Sequence, residues 1–468
     1  MSMNEDRLFE LAKDHFSCAL SHIENERWLD AERELRASYN YMPDRVSTLT
    51  NLSAVLIRQK RFNEAEVFLE RALTLNPQNP ELIINLGVIE SKAGQFDLAL
   101  ERCERVIRIC PDHAGAWLNR GSILIPLKRY EEAIKSFDHA IKLNSSYAEA
   151  YYNLALLQLQ LHDYKQGFKN YLWRWKVKNF TGMPLLTSLP RCRDESLGGN
   201  VLLWAEQGVG DEIFYSGMLA LAQHAFKRIT LIADTRLHSI LKRAFPGIEF
   251  ADRREASSAG FYSRFDCQAP IADLGYLLAL DKPGIQASRK PFLFPDAARA
   301  ASLKRELTSS GAKLVCGLSW RSNNKLFGAS KSTRLQDFKP VLKQHGLTFV
   351  NLQYGDVDAE LEDLRQREDL EIMKVRGLDV FNDIEGLVAL IDACDVVVTT
   401  SSITAHLTGA LGKRGCVLVP FSEGRIWYWH LEDKWSFWYP SLRVFYQDRP
   451  NDWSNTICEV GNWLEELK

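Results

Sequence analysis

Apolar and small residues in the first third of the chain recur on a beat of 34. Aromatic residues stand at Trp28, Phe62, Phe96, Tyr130 and Tyr164, and three positions after each comes a small one: Ala31, Ala65, Ala99, Ala133 and Gly167. Pro43, Pro77 and Pro111 keep the same period. Inside each unit the apolar positions follow helical spacing. A unit therefore reads as two antiparallel helices that cross closely enough to need small residues opposite large ones. Trp117, Gly121, Tyr130, Ala133, Phe137 and Ala140 supply that pairing in one unit. A hairpin of this size cannot bury its own apolar face, so stacked units share one core and form an α-solenoid with a concave groove.

Period and residue types resemble the tetratricopeptide repeat over residues 12–177, five units, with the last drifting into YKQGFKNYLWRW as a capping unit. Such grooves usually hold peptides; a spacer or a surface that pairs two copies is the alternative use.

Past residue 180 the beat stops, and residues 179–199, with their Pro, Gly and Ser, read as a connection. Short apolar runs then alternate with helical ones. VLLWAE (201–206) is followed by the helical DEIFYSGMLALAQHAF (211–226), ITLIAD (229–234), a further helix and IEFAD. The pattern restarts at KLVCGLSW (313–320) and continues through LTFVNLQY (347–354), DVVVTTSS (395–402), ITAHLTGALG and GCVLVPF, closing on an amphipathic helix in DWSNTICEVGNWLEELK. Strands alternating with helices imply parallel sheets. The expected fold class is α plus α/β: a solenoid over 1–178, a linker over 179–199, and two facing Rossmann-like lobes over 200–296 and 297–468. PFLFPD (291–296) lies between the lobes. Ligands of open parallel sheets sit beyond the carboxyl ends of the strands, so those loops are where chemistry is expected.

Composition narrows the function without naming it. A hydrophobic fraction of 46% and a charged fraction of 25% over 468 residues belong to a globular chain and exclude wholesale disorder. Fifty-eight basic against sixty acidic residues leave a net charge of −2, so no global field gathers nucleic acid or anionic lipid and any anion site is local. Nine cysteines, odd in number and without a CxxC, read as reduced thiols. Ten histidines form no HExxH and no zinc spacing with them, so no metal site is expected. The opening MSMNEDRLFELAKDH is too charged for a signal peptide, and no apolar run approaches the roughly 18 residues of a membrane span. A soluble, cytoplasmic protein is the expectation.

Four loops carry candidate chemistry. Gln207-Gly208-Val209-Gly210-Asp211 lacks the third glycine of a dinucleotide fingerprint, Ile213 standing in its place, and no GxxxxGK[ST] occurs anywhere. NAD binding and a P-loop are thereby excluded. What remains is a glycine-rich strand-to-helix turn that projects a carboxylate, Asp211, where capping alone would also favour one. A carboxylate at that helix start repels a pyrophosphate, which places the phosphate site elsewhere. Thr399 to His406 runs from a strand end into a helix with free amides, hydroxyls and no acid, a cradle for a diphosphate or an ordinary Ser-capped helix with His406 packed inside. Arg321, Lys325 and Lys331 add cations within eleven residues, as donor-side charges or as a solvated basic loop. Trp427, Trp429, Trp435 and Trp438 crowd twelve residues, a density suited to stacking a base or sugar and equally to a lid or core.

Taken together, LWRW (172–175), WAEQGVGDEIFYS (204–216), GLSWRSN (317–323), KSTRL (331–335), FVNLQ (349–353), IDACDVVVTTSSITAHLTGALGK (391–413) and FWYPSLRVF (437–445) resemble bacterial proteins that join tetratricopeptide repeats to a glycosyltransferase domain of the heptosyltransferase-like, GT-B kind, over nearly the whole length. The resemblance implies a metal-independent inverting transferase with no cofactor beyond a nucleotide-sugar co-substrate. By match, Asp211 is its catalytic base on the acceptor lobe. Trp320, Arg321, Lys331, Gln353, Ser401, Ser402, Thr404 and His406 are its donor-binding residues. Relatives often carry Asp-Thr where this chain has Ser401-Ser402. Some relatives of this architecture glycosylate flagellin, and repeat-bearing O-linked N-acetylglucosamine transferases similarly pair a protein-binding groove with a GT-B domain, so a protein acceptor in the groove is implied. A non-catalytic repeat adaptor with a degenerate GT-B domain, and a transferase acting on glycans or lipids, are the alternatives, and pairing of two copies stays open.

Overall fold

The 34-residue beat becomes helix pairs. In the computed structural model, which describes residues 3–258, 260–309, 314–324, 327–421 and 424–468, four hairpins follow one another. They are α1 (Met3–Glu24) with α2 (Trp28–Tyr41), α3 (Val46–Arg58) with α4 (Phe62–Leu75), α5 (Pro80–Lys92) with α6 (Phe96–Ile109), and α7 (Ala114–Leu124) with α8 (Tyr130–Leu143). Helices α9 (Ala148–Gln160) and α10 (Tyr164–Tyr171) continue the register. Ala31, Ala65, Ala99 and Ala133 are fully buried. A Cβ at Gly121 would stand 2.5 Å from the Phe137 ring, so the close crossing tolerates only hydrogen there.

The beat also runs through the backbone. Glu26, Lys60, Gly94, Lys128 and His162, 34 apart, end the first helix of each hairpin in the left-handed region at φ of 57° to 79°. The next amide reaches back across the turn, Arg61 N to Leu56 O at 2.9 Å and Arg129 N to Leu124 O at 3.0 Å, which satisfies carbonyls the helix end would orphan. Only Gly94 adopts that conformation without a Cβ penalty.

The chain divides into two compact units, Met1–Leu157 and Gln158–Lys468. The second holds two sheets among its described residues. In the first, β1 (Asn200–Trp204), β2 (Arg228–Ile232), β3 (Glu249–Ala251) and β4 (Cys267–Pro270) run parallel in the order β3-β2-β1-β4. The second comprises β5 (Leu314–Ser319), β6 (Leu347–Asn351), β7 (Ile372–Met373), β8 (Val396–Thr400), β9 (Gly415–Val419), β10 (Leu431–Glu432), β11 (Trp435–Ser436) and β12 (Leu442–Tyr446). Six of these lie parallel as β7-β6-β5-β8-β9-β12, and the short antiparallel β11 and β10 extend the edge. In each sheet the winding reverses beside the first strand, between β1 and β4 and between β5 and β8, which opens a crevice beyond the carboxyl ends of those strands.

The helix expected over 211–226 is two, α11 (Val209–Ser216) and α12 (Leu219–Ala225), parted at Gly217, where the Phe292 ring lies against bare backbone. Ile403–Ala410 forms α13 and Ser454–Glu465 forms α14. The 291–296 segment between the sheets caps α13, since the amides of Phe292 and Leu293 both donate to Ala410 O.

The beat carries the repeats to residue 178, yet the compact division falls at 157/158 because α10 packs within the second unit. Tyr164, Phe168 and Tyr171 are buried. Phe168 fills the space over Gly275, whose Cβ would come within 2.3 Å of the ring, and Tyr164 Oη lies 3.0 Å from His430 Nε2. Beyond α10, Arg174 of the LWRW turn has no solvent exposure. Its Nε and Nη2 donate to Glu206 Oε1 and Oε2 at 2.9 and 2.7 Å, Nη2 also donates to Asp273 Oδ1 at 2.6 Å, and Nη1 donates to Tyr171 O at 3.1 Å.

Arg174→Met leaves the buried Glu206 carboxylate without its cation, while Asp273 keeps Arg191 at 3.6 Å, and urea unfolding should show a loss of about 3–5 kcal/mol. Lys128→Gly relieves the left-handed turn and should raise the unfolding free energy of the first unit by up to about 1 kcal/mol in the same experiment.

Candidate functional site

The turn after β1 puts a carboxylate at the start of a helix. Gly208 is the N-cap of α11 and Asp211 and Glu212 fill its first turn, where the helix dipole favours negative charge. The two acids have different surroundings. Asp211 keeps a partial opening to the surface, and its Oδ1 accepts from the Tyr428 hydroxyl at 3.0 Å. Burial raises its pKa above the ordinary carboxylate value, while the Lys331 charge, the Tyr428 hydroxyl and local amides oppose the rise. Glu212 is buried and accepts from Asp234 N at 2.8 Å. Desolvation pushes it up to about 8, so the carboxyl is largely protonated at neutral pH.

The turn from β8 into α13 is the second part. Thr399, Thr400, Ser401, Ser402, Thr404 and His406 are all buried. Ser402 caps α13 in extended conformation without a side-chain hydrogen bond to the first turn. Ser401 Oγ accepts from Trp429 Nε1 at 2.8 Å, and Ser402 Oγ lies 3.3 Å from Thr399 Oγ1. Thr400 Oγ1 and Thr404 Oγ1 are buried with no hydrogen-bond partner among the described residues, hydroxyl capacity that the protein itself leaves unused. His406 Nδ1 lies 3.2 Å from Tyr439 Oη. Burial, and after it the Lys331 charge, drive this imidazole down to about 3, so it is neutral at physiological pH.

The two turns meet. A Cβ at Gly210 would be 3.0 Å from His406 Cδ2 and 3.8 Å from Ile403 Cα, so the second glycine of the Gly-Val-Gly turn lets α11 lie against α13. Lys331 joins them: it is buried, desolvation lowers its pKa, and the negative charge of Asp211 opposes that shift. Asp211, Lys331, Ser401, Ser402, Thr404 and His406 therefore gather in one neighbourhood.

Three expected donor-side residues, Trp320 and Arg321 in the loop after β5 and Gln353 just past β6, have other partners. Trp320 is fully buried in the second sheet's core, its Nε1 donating to Glu360 at 3.1 Å. The Arg321 guanidinium pairs with Glu360. Gln353 Oε1 accepts from Ser319 Oγ, Trp320 N and Arg321 N at 3.2, 2.9 and 2.7 Å, which shapes the loop after β5. Gln353 also borders a polar cavity of about 210 Å³ with Asn351, Gly355, Lys374 and Asp379. Lys325 lies outside the described residues. An apolar cavity of about 330 Å³ continues along α11 and α13, lined by Phe214, Met218, Phe292, Gly409 and Tyr439 among others.

Residue reasoning missed Tyr428, Tyr439, Glu212 and the Arg174–Glu206–Asp273 cluster. The aromatic crowding at 427–438 was the visible signal for the first two. Trp427, Tyr428 and Trp429 are buried, and Trp435 alone among the four tryptophans is exposed. Among the described residues no group of three or more His, Cys, Asp and Glu is placed to hold a metal ion. Nor is any helix long and apolar enough to cross a membrane.

Comparison with known proteins supports the solenoid. Residues 56–119 match the family model described as tetratricopeptide repeat, and residues 121–161 the model described as TPR repeat. The helix pairs of the first unit are tetratricopeptide repeats. A curated relative, Protein FlbA of Caulobacter vibrioides, is 30% identical over 321 residues, covering 63% of this chain and 52% of FlbA. The chain thus spans about half the length of that relative, and the match, longer than the repeat unit, extends into the region of sheets. Among solved structures, MamA from Desulfovibrio magneticus RS-1 is 19% identical, covering 34% of this chain and 91% of that one, at a TM-score of 0.30. A thermophilic tetratricopeptide-repeat protein of Thermus thermophilus is 17% identical, covering 34% and 88%, at a TM-score of 0.33.

Glu212 binds its proton more tightly folded than unfolded, so the native state loses stability as pH rises from about 4.5 to about 8. Glu212→Gln keeps the acceptor for Asp234 N and removes the titration. Melting temperatures should coincide near pH 4.5 and the variant should melt higher at pH 8; equal melting at both would refute a protonated Glu212.

Proposed function

We propose that the protein is a GT-B, heptosyltransferase-like glycosyltransferase. It inverts configuration, needs no metal, and moves a sugar from a nucleotide-sugar to a hydroxyl of a protein held in the repeat groove, with flagellin among the acceptors the sequence resemblance suggests. The supporting observation is the meeting of Asp211 with the Ser401–His406 turn, each standing where its own sheet reverses winding. One turn carries a carboxylate and no cation of its own; the other carries hydroxyls and helix amides and no acid.

Those chemistries divide the labour of one displacement. Asp211 accepts the proton of the acceptor hydroxyl as its oxygen attacks the anomeric carbon, and the bond from that carbon to the diphosphate oxygen breaks on the opposite face. Negative charge collects on the leaving diphosphate, where the first-turn amides of α13, the unused hydroxyls of Thr400 and Thr404, and Lys331 receive it. Neutral His406 brings no charge; it holds the helix against α11 and Tyr439. Trp320 and Gln353 act through the backbone of the β5 loop, and Gln353 borders the polar cavity as well. Tetratricopeptide repeats supply a protein-binding groove of the kind a protein acceptor needs.

Asp211→Asn should lower transfer by about 10²- to 10⁴-fold while leaving the fold and donor affinity nearly intact. Because burial raises the Asp211 pKa, wild-type kcat/KM should fall with acid at a pH above the ordinary carboxylate value of 3.8. Calorimetry against a panel of nucleotides and nucleotide-sugars decides against the transferase, and for a repeat-based adaptor, if no member of the panel gives heat.

A further inference from the structure

The hydroxyl that meets Asp211 comes from the other sheet's loop. Tyr428 follows β9, yet it donates to an acid on α11 at 3.0 Å. Its ring cannot turn freely: Phe214 stacks on it at 4.4 Å and 29°, His406 meets it edge-on at 5.1 Å, and Trp427 and Trp429 stand 5.6 and 5.4 Å away. The neighbouring residue in sequence, Trp429, donates to Ser401. One short aromatic segment therefore reaches both the carboxylate and the hydroxyl cradle.

We infer that Tyr428 is a positioning residue: its hydroxyl holds Asp211 Oδ1, fixes the carboxylate's rotamer, and leaves Oδ2 to take the proton of the acceptor hydroxyl. This assignment rests on Asp211 being the base. Burial and the negative charge of Asp211 raise the phenol far above its ordinary pKa, so Tyr428 stays a donor at every working pH. A donor to the charged form favours ionisation, so Tyr428 opposes the upward push of burial on the Asp211 carboxyl. The other titratable groups around Asp211 are Lys331 from the 328–331 turn, Glu206 on the same loop, Tyr215 on α11, His406 on α13 and Tyr439 beyond it.

Tyr428→Phe removes one oxygen and keeps the stack on Phe214. With a turned-over donor, kcat should fall about 10- to 100-fold, as for a lost hydrogen bond to a charged group, with donor KM little changed. The acid limb of kcat/KM should move to higher pH by about one unit. Unchanged kcat with an unmoved acid limb would overturn the assignment. So would a rise in kcat, which would make Tyr428 a placeholder for the acceptor. A measurement without turnover keeps the two proposals separate. The pH dependence of the melting-temperature difference between the full chain and its Asp211→Asn form reports the titration of Asp211 together with the neighbours its charge acts on, Lys331 and Glu206 among them, while groups remote from it cancel. That difference should shift to higher pH in the Tyr428→Phe background and to lower pH with a fluorinated tyrosine at 428, a stronger donor of the same shape. If no donor is turned over, the transferase fails by itself. If the melting difference does not move in either background, the role of Tyr428 fails whatever the activity.

Discussion

A guanidinium sealed from water sets the frame of the second unit. Arg174 has no exposed surface, and its positive charge is tolerable only because Glu206 and Asp273 receive it in geometry that uses both carboxylates. Those carboxylates follow β1 and β4, the two strands beside which the first sheet reverses. The pairing therefore ties the end of the repeat helices to the very crevice where the candidate site lies. Glu206 is five residues ahead of Asp211, so the glycine turn that aims Asp211 starts from a fixed point.

Electrostatic sorting follows from that frame. Two neighbouring acids begin α11, and both are raised by burial, but they have different partners. Asp211 faces a lysine and a phenol that favour its charged form. Glu212 has one strong donor, the amide of Asp234, and keeps its proton. On α13 the hydroxyls meet no acid and the one imidazole is neutral. Asp211 and Lys331, each of which favours the other's charged form, stand between a turn suited to receive a proton and a turn suited to receive an anion.

Much of this was legible in residue order. The beat of Trp28, Phe62, Phe96, Tyr130 and Tyr164 announced the helix pairs, because a repeat must bury the same face against each neighbour. β1, β2, β5, β6, β8 and β9 were legible as apolar runs, since strands covered on both faces carry no polar alternation. β4, Cys-Gln-Ala-Pro, and the short β10 and β11 were not, for they have too few apolar positions to form a run. Asp211 and the Ser401–His406 turn could be picked out as strand-end loops, whereas Tyr428 could not, because nothing local distinguishes a tyrosine that packs from one that also donates to an acid 217 residues away.

Sequence by itself determined the repeating helices, the alternation of strands with helices, and the absence of acid from the β8–α13 turn, all consequences of local periodicity and residue chemistry. Tertiary structure alone decided that the compact division lies at 157 rather than 178, that Gly210 exists to let α11 touch α13, and that Trp320, Arg321 and Gln353 brace the β5 loop. It also decided that two adjacent acids have different partners, a lysine and a phenol for Asp211 and a backbone amide for Glu212. Burial and pairing are properties of what surrounds a side chain, and those surroundings are assembled from residues far apart in the chain.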